Sequence, residues 1–199
     1  MRRLAVLVAA TLLCAGVAAG ATESARRMVV NVSNQVIHVL KENPDLTQRA
    51  PGAIYKLLDR DVAPHFDFDA IARLVLGHYW REASPQQRQR FIREFRTYLV
   101  RSYAVSLERY KDQKIEYMPL RAPAADNEVT VRSEVQQQNG PPVPIDYRMH
   151  RENGEWKVYD VIVDGVSMVA SNRNSFAEEI RQGGIDRLID QLAAHNHKA

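Results

Sequence analysis

Cysteine is nearly missing from this chain: the single one, Cys14, lies within an apolar run close to the amino terminus. After that run, no hydrophobic stretch approaches the roughly 20 residues that a membrane-spanning helix requires. Neither sign of charge is in large excess. The 27 Lys and Arg face 24 Asp and Glu, a formal net charge of +3, which gives no ground for a nucleic-acid surface. Gly-rich phosphate loops, G-x-S-x-G and H-E-x-x-H are all absent, so the familiar nucleotide-binding, serine-hydrolase and zinc-protease signatures have no footing here. There is no internal repeat and no low-complexity segment.

What is present begins with a targeting pattern. Met1-Arg2-Arg3 precedes an apolar run from Leu4 to Val17, and Ala18-Ala19-Gly20-Ala21 follows. A basic start, a short apolar stretch and small residues at Ala19 and Ala21 predict a signal peptide over residues 1–21, removed on export. A membrane anchor is the alternative, but the run is short and polar Thr22-Glu23-Ser24 follows directly. Leu13 stands before Cys14, where lipoprotein processing prefers a small side chain, so the thiol is expected to leave with the signal. Loss of Arg2 and Arg3 lowers the formal charge from +3 to +1. The 178 remaining of 199 residues suit one domain, 22–199, without disulfides or cysteine-held metals.

The expected domain is helical, then strand-rich, then helical again. Met28, Val29, Val32, Val36, Ile37 and Leu40 recur at helical spacing between Ser24 and Lys41, with Asn43-Pro44-Asp45 as the stop. A second helix is expected over Ala53–Val62. A third starts from a cap at Asp67 and carries Ile71, Leu74, Val75 and Tyr79 on one side. Ser84 and Pro85 announce a long helix reaching Tyr110, roughly 40 Å in length. Beyond Lys111 the period falls to two. Strands are expected at Ile115–Met118, Glu128–Gln137, Val143–Arg151 and Trp156–Val163, separated by Gly- and Pro-containing turns. Val161-Ile162-Val163 is apolar at every position, which predicts burial on both faces. Ser175–Gln182 and Ile185–Ala194 are read as helices broken at Gly183-Gly184. The class is α+β: a four-stranded antiparallel sheet with the long helix as the natural cover for its apolar face.

No catalytic set stands out. Asp67-Phe68-Asp69 reads as a helix cap with an acidic first turn rather than a metal-binding D-x-D. His195-Asn196-His197 lies in the last five residues, where a frayed tail is expected. Asp164-Gly165 reads as a turn, with Asp160 and Ser167 beside it and no local histidine to complete a hydrolase. Large side chains on the long helix face a mostly valine sheet surface. That surface can pack tightly or leave an apolar slot, and pattern alone supports either.

Three ordered blocks resemble the MlaC family of periplasmic phospholipid carriers, also called toluene-tolerance auxiliary components. The first runs from Leu74 through Gly77, Tyr79-Trp80-Arg81, Ala83, Pro85 and Gln87-Arg88 to Phe91, Phe95 and Tyr103. The second is Trp156–Ser167, continued by Arg173–Phe176; the third is Gly183-Gly184-Ile185-Asp186 with Leu188 and Leu192. One departure is Asn172, where many members carry an aromatic residue before the Arg. The hopanoid-associated HpnM proteins are a similar subgroup.

The resemblance implies a curved sheet and helices enclosing a deep apolar pocket that holds the acyl chains of a glycerophospholipid. It also implies a monomeric periplasmic shuttle, with no enzyme activity, cofactor, metal or nucleic acid, that helps to maintain outer-membrane lipid asymmetry. The partners implied are an inner-membrane ABC lipid transporter and an outer-membrane lipoprotein–porin complex. On this reading the expected pocket lining is Val75, Tyr79, Phe95, Leu99, Tyr103 and Leu107 from the helices. The sheet would add Val131, Val135, Ile145, Tyr147, Met149, Val161 and Val163, with Val166 and Met168 just beyond it. Arg148 and Arg173 are the candidates for a headgroup phosphate; a surface salt bridge is the alternative for each. Two long chains represent roughly 20 kcal/mol of unfavourable exposure at about 0.8 kcal/mol per methylene, so the expected cavity reaches or exceeds about 1,000 Å³. Rival readings are a surface adaptor with a solid core and a periplasmic enzyme.

Overall fold

The computed structural model describes residues 15–46, 52–107, 113–120 and 127–198. Helix α1 (Ala15–Glu42) begins inside the expected signal and carries the apolar stripe read from sequence. A short α2 (Ala53–Asp61) follows, and a 3-10 turn (Ala63–His65) accommodates Pro64. Next come α3 (Phe68–Leu76), the single turn α4 (Tyr79–Glu82) and the long α5 (Pro85–Leu107). The expected end of the long helix at Tyr110 lies outside the described residues.

Local chemistry accounts for the helix starts. Asp67 Oδ1 accepts from the Ala70 amide at 2.8 Å, an N-cap at the third amide. The Ser84 hydroxyl and Gln87 side chain exchange reciprocal bonds with each other's amides, at 3.1 and 2.9 Å. That is a capping box, with Pro85 at the first helical position.

Among the described residues the sheet contains five antiparallel strands in sequence order, one more than expected: β1 (Ile115–Tyr117), β2 (Glu128–Val135), β3 (Val143–Glu152), β4 (Glu155–Val163) and β5 (Val166–Ser167). Two-residue turns join the last three. Asn153-Gly154 has φ of 50° and 86°, and Asp164-Gly165 has 50° and 78°. Left-handed backbone at both central positions is the turn whose twist matches the flanking strands, and Asx-Gly adopts it most readily. A bulge interrupts the pairing of β3 with β4 between Arg148 and Met149, where Tyr159 is left out of register.

The final helix, α6, spans Met168–Lys198 and starts seven residues before the expected Ser175. Gly184 breaks it, with φ 79° and ψ 171°. The reason for the earlier start is Asp160, 2 % exposed. One carboxylate oxygen accepts from the Val169 amide at 3.1 Å and the other from the Ser167 hydroxyl at 2.7 Å. Ser167 Oγ in turn accepts from the Ala170 amide at 3.0 Å. The pair therefore initiates a helix.

Three buried clusters hold these layers together. Ile71, Phe91, Phe95, Phe176 and Leu188 join α3, α5 and α6. Val36, Ile54, Leu57, Val100 and Ala104 join α1, α2 and α5. Ala25 and Val29 of α1 pack on Val131, Met149 and Trp156 of the sheet. The amino-terminal helix thus lies directly on the sheet, while the carboxy-terminal part of α5 covers it from across a cavity.

Two local expectations are corrected. The apolar end of β4 is not buried on both faces: Val163 is 37 % exposed, whereas Val158, Tyr159 and Asp160 are buried. α6 covers the outer face only at the middle of the strand, and β5 is too short to shield its end. The carboxy-terminal histidines do not fray either. Asn196 is 6 % exposed, and its side-chain amide donates to the Glu94 carbonyl at 2.9 Å. His195 packs edge-on against Tyr98 at 5.2 Å. Leu188, Leu192 and Asn196 continue one helical stripe onto α5, and that stripe holds the tail in place.

Candidate functional site

A cavity of about 380 Å³ opens between α1, the α2–α3 segment, the end of α5 and the inner face of the sheet. Among the described residues, none of its lining side chains is Asp, Glu, Lys or Arg. One wall is the helical stripe Met28, Val29, Val32, Val36, Ile37 and Leu40. Leu58, Val62, Ala63, Phe66 and Phe68 form the floor, and Leu99, Val100, Tyr103 and Leu107 project from α5. The sheet contributes Ile115, Val135, Ile145, Tyr147, Val158, Val161 and Val163. Tyr103, Ser106 and Val163 are exposed, whereas Val29, Leu58, Ala63 and Val158 are buried. The mouth therefore lies between the last turns of α5 and the end of β4.

The few polar groups in this lining are neutral. Ser33 and Ser106 are hydroxyls. Burial, followed by the charge of Lys157, lowers the His65 pKa and favours the uncharged ring. Burial also pushes the Tyr147 phenol up to about 12, only partly offset by its hydrogen bond with Ser133. Tyr103 is raised in the same direction by burial, with the carboxylate of Asp160 adding to it. Such a surface presents mostly hydrocarbon, with a few hydroxyls and one imidazole. It suits a flexible apolar ligand and sets few directional demands.

Nine of the fifteen residues expected at a lining are found there: Leu99, Tyr103, Leu107, Val135, Ile145, Tyr147, Val161, Val163 and Met168. The other six lie elsewhere. Val75 and Phe95 are 1 % exposed inside the α3–α5–α6 core, with Tyr79 packed against it. Val131 and Met149, both 0 % exposed, sit beneath α1. Val166 is 63 % exposed on the hairpin beyond the mouth. On the long helix and the sheet the sequence pattern gives the correct face, but depth along each element depends on which neighbour covers it. The third helix is a correction: it ends at Leu76, so Tyr79 falls in α4, and Leu74, expected on the side of Ile71 and Val75, is exposed.

The cavity is also smaller than the expected 1,000 Å³, and the bulky Phe66, Phe68, Tyr103 and Tyr147 are among the side chains that line it. Neither candidate headgroup arginine belongs to the lining. Arg148 lies on the opposite face of β3 from Tyr147, 3.8 Å from the Asp160 carboxylate and stacked over Tyr159 at 5.1 Å. Arg173 donates from Nε to the Leu74 carbonyl at 2.7 Å. Asn172, at the departure from the family pattern, donates to the Met168 carbonyl at 2.8 Å and so closes a turn of its own helix.

The α1 wall is missing from the lining expected from sequence. Its signal is nevertheless visible there, since all six apolar residues of the amphipathic stripe face the cavity. The floor segment 58–68 carries no comparable periodicity, because it is a helix end, a 3-10 turn and a cap in succession.

Comparison with known proteins agrees with this geometry. Residues 30–194 match the MlaC protein family. The toluene tolerance protein ttg2D of Pseudomonas putida is 32 % identical over 182 residues, covering 90 % of this chain and 84 % of that protein. The intermembrane phospholipid transport system binding protein MlaC of Haemophilus influenzae is 26 % identical over 168 residues, covering 83 % and 78 %. A phospholipid-binding protein from Ralstonia solanacearum, solved in complex with a phospholipid, superposes with a TM-score of 0.79 at 33 % identity. The match covers 88 % of this chain and 98 % of that one.

Proposed function

The chain belongs to the MlaC family, and we propose that it is a periplasmic carrier that encloses the acyl chains of a glycerophospholipid. In this reading residues 1–21 direct export and are removed, and residues 22–199 form the single carrier domain. The carrier exchanges lipid with an inner-membrane ABC transporter and an outer-membrane lipoprotein–porin complex, and so sustains lipid asymmetry.

The observation that carries the reading is the uncharged cavity walled by α1, α5 and the sheet. Each methylene moved from water into such a lining gains about 0.8 kcal/mol. A lipid crossing an aqueous compartment therefore needs its chains covered, and few polar contacts in the lining favour its release. Among the described residues no helix is long and apolar enough to cross a membrane. The name and bound ligand of the Ralstonia protein support phospholipid as the cargo.

The test is to purify the exported domain, extract it with organic solvent and identify lipids by mass spectrometry. Phospholipid close to one molecule per chain is expected, and Val135→Trp or Ile145→Trp should lower that content without unfolding. A reproducibly lipid-free monomer sinks the proposal.

A further inference from the structure

Four arginines lie on or reach the segment that joins α3 to α5. Arg73 and Arg88 lie 5.4 and 5.2 Å from the ring centre of Trp80. Arg88 also donates to the Trp80 carbonyl at 2.8 Å and to that of Arg81 at 3.3 Å. Arg173 reaches across from α6 to the Leu74 carbonyl, and Arg81 stands exposed in α4. Among the described residues none of the four comes within 4.0 Å of a carboxylate, although Asp69 and Glu82 are close in sequence. Elsewhere on α5, Arg90 and Arg96 are paired with Asp190 at 2.7 Å and Asp59 at 2.8 Å. Leu74, next to Arg73 in sequence and bound through its carbonyl by Arg173, is 37 % exposed.

Unpaired like charges held close together repel, and an opposite charge from outside relieves that repulsion. Arg88 and Arg173, tied to backbone carbonyls, and Arg73, set against an aromatic ring, are already ordered and lose little freedom on meeting a carboxylate. Arginine, tryptophan and an adjacent apolar residue are also the side chains that protein interfaces favour. A bilayer is the poorer occupant, because insertion needs several apolar side chains and Leu74 is the one exposed here. Arg88 and Tyr103 are fifteen residues apart on α5, about 22 Å along the helix, so contact at this surface leaves the mouth free.

We propose that this surface docks a protein partner through a cluster of Asp and Glu side chains. Arg73 and Arg81 contact the carboxylates, Arg88 and Arg173 supply a fixed positive field, and Leu74 is buried beside them. The inference deepens the carrier reading and rests on it for the need to dock.

The test places a photo-crosslinking benzoylphenylalanine at position 74 of the full chain, exported in cells. The expected product is an adduct with a protein, mapped to an acidic segment. Its yield should fall about tenfold in R73E/R81E and return when the mapped carboxylates are changed to Lys. An adduct indifferent to R73E/R81E overturns the proposal. So does a yield no greater than from the exposed control position 105, or capture of the purified protein by vesicles containing phosphatidylglycerol. Circular dichroism checks folding; should the double reversal unfold, R73Q/R81Q serves in its place, with a smaller but measurable loss expected. Extracted phospholipid is measured in parallel and should be unchanged in the variants. A lipid-free wild type that still forms the charge-dependent adduct would remove the carrier reading and leave the docking surface standing.

Discussion

Phe95 and Ile145 face the same apolar interior by sequence pattern, yet they have different jobs. Phe95 is enclosed by Phe91, Phe176 and Tyr98, with ring centres 5.2, 5.3 and 6.1 Å away. Truncation to Ala should therefore cost about 3–5 kcal/mol of stability, read from urea denaturation, with lipid content per folded molecule unchanged. Ile145 lines the cavity, so its enlargement should act on occupancy instead. A marked loss of lipid from folded Phe95→Ala would contradict this division. Tyr147 supplies another residue-scale prediction. Burial raises its pKa from 10.0 to about 12, so the unfolded chain ionises this phenol before the folded chain does. The associated stability is present below pH 10 and is lost as the pH climbs toward the folded value. Urea midpoints should fall across this interval, and Tyr147→Phe should make the decline shallower; an identical slope would show that the phenol is not shielded.

At the scale of elements, α6 shows what a single glycine accomplishes. Phe176 and Ile180 before the break, and Leu188, Ile189 and Leu192 after it, all reach the same core. The positive φ at Gly184, with ψ near 180°, is a region that side-chain-bearing residues avoid. A Cβ there would meet nothing within 4 Å, so Gly184→Ala should cost about 1–3 kcal/mol through backbone strain alone. A calorimetric melting temperature equal to that of the wild type would refute that account. The helix caps and Asx-Gly turns were legible in sequence because their chemistry involves residues a few positions apart. The early start of α6 was not, since its initiating carboxylate, Asp160, belongs to the preceding strand.

Across the whole molecule, the cavity is a gap between layers that are otherwise close-packed, and filling it should strengthen the fold. A ligand bound only by the native state adds about 2.7 kcal/mol at a concentration one hundred times its dissociation constant. For a domain of this size, extraction of bound lipid should lower the melting temperature by about 5–10 °C. Adding phospholipid back should restore it. Equal melting of the loaded and extracted protein would argue against an interior ligand.

By itself the sequence determined the period of the longer helices and of the four longer strands, the caps that start α3 and α5, the Asx-Gly turns that follow β3 and β4, and the apolar face of α1. All of these depend on contacts among near neighbours in the chain. Whether an apolar face becomes core or cavity wall was decided only by the tertiary structure. Val131 and Val135 share one face of β2, yet Val131 lies beneath Ala25 and Val29 of α1 while Val135 borders the cavity. The difference is what stands opposite. A side chain's direction follows from its own backbone, but its packing partner comes from an element more than a hundred residues away.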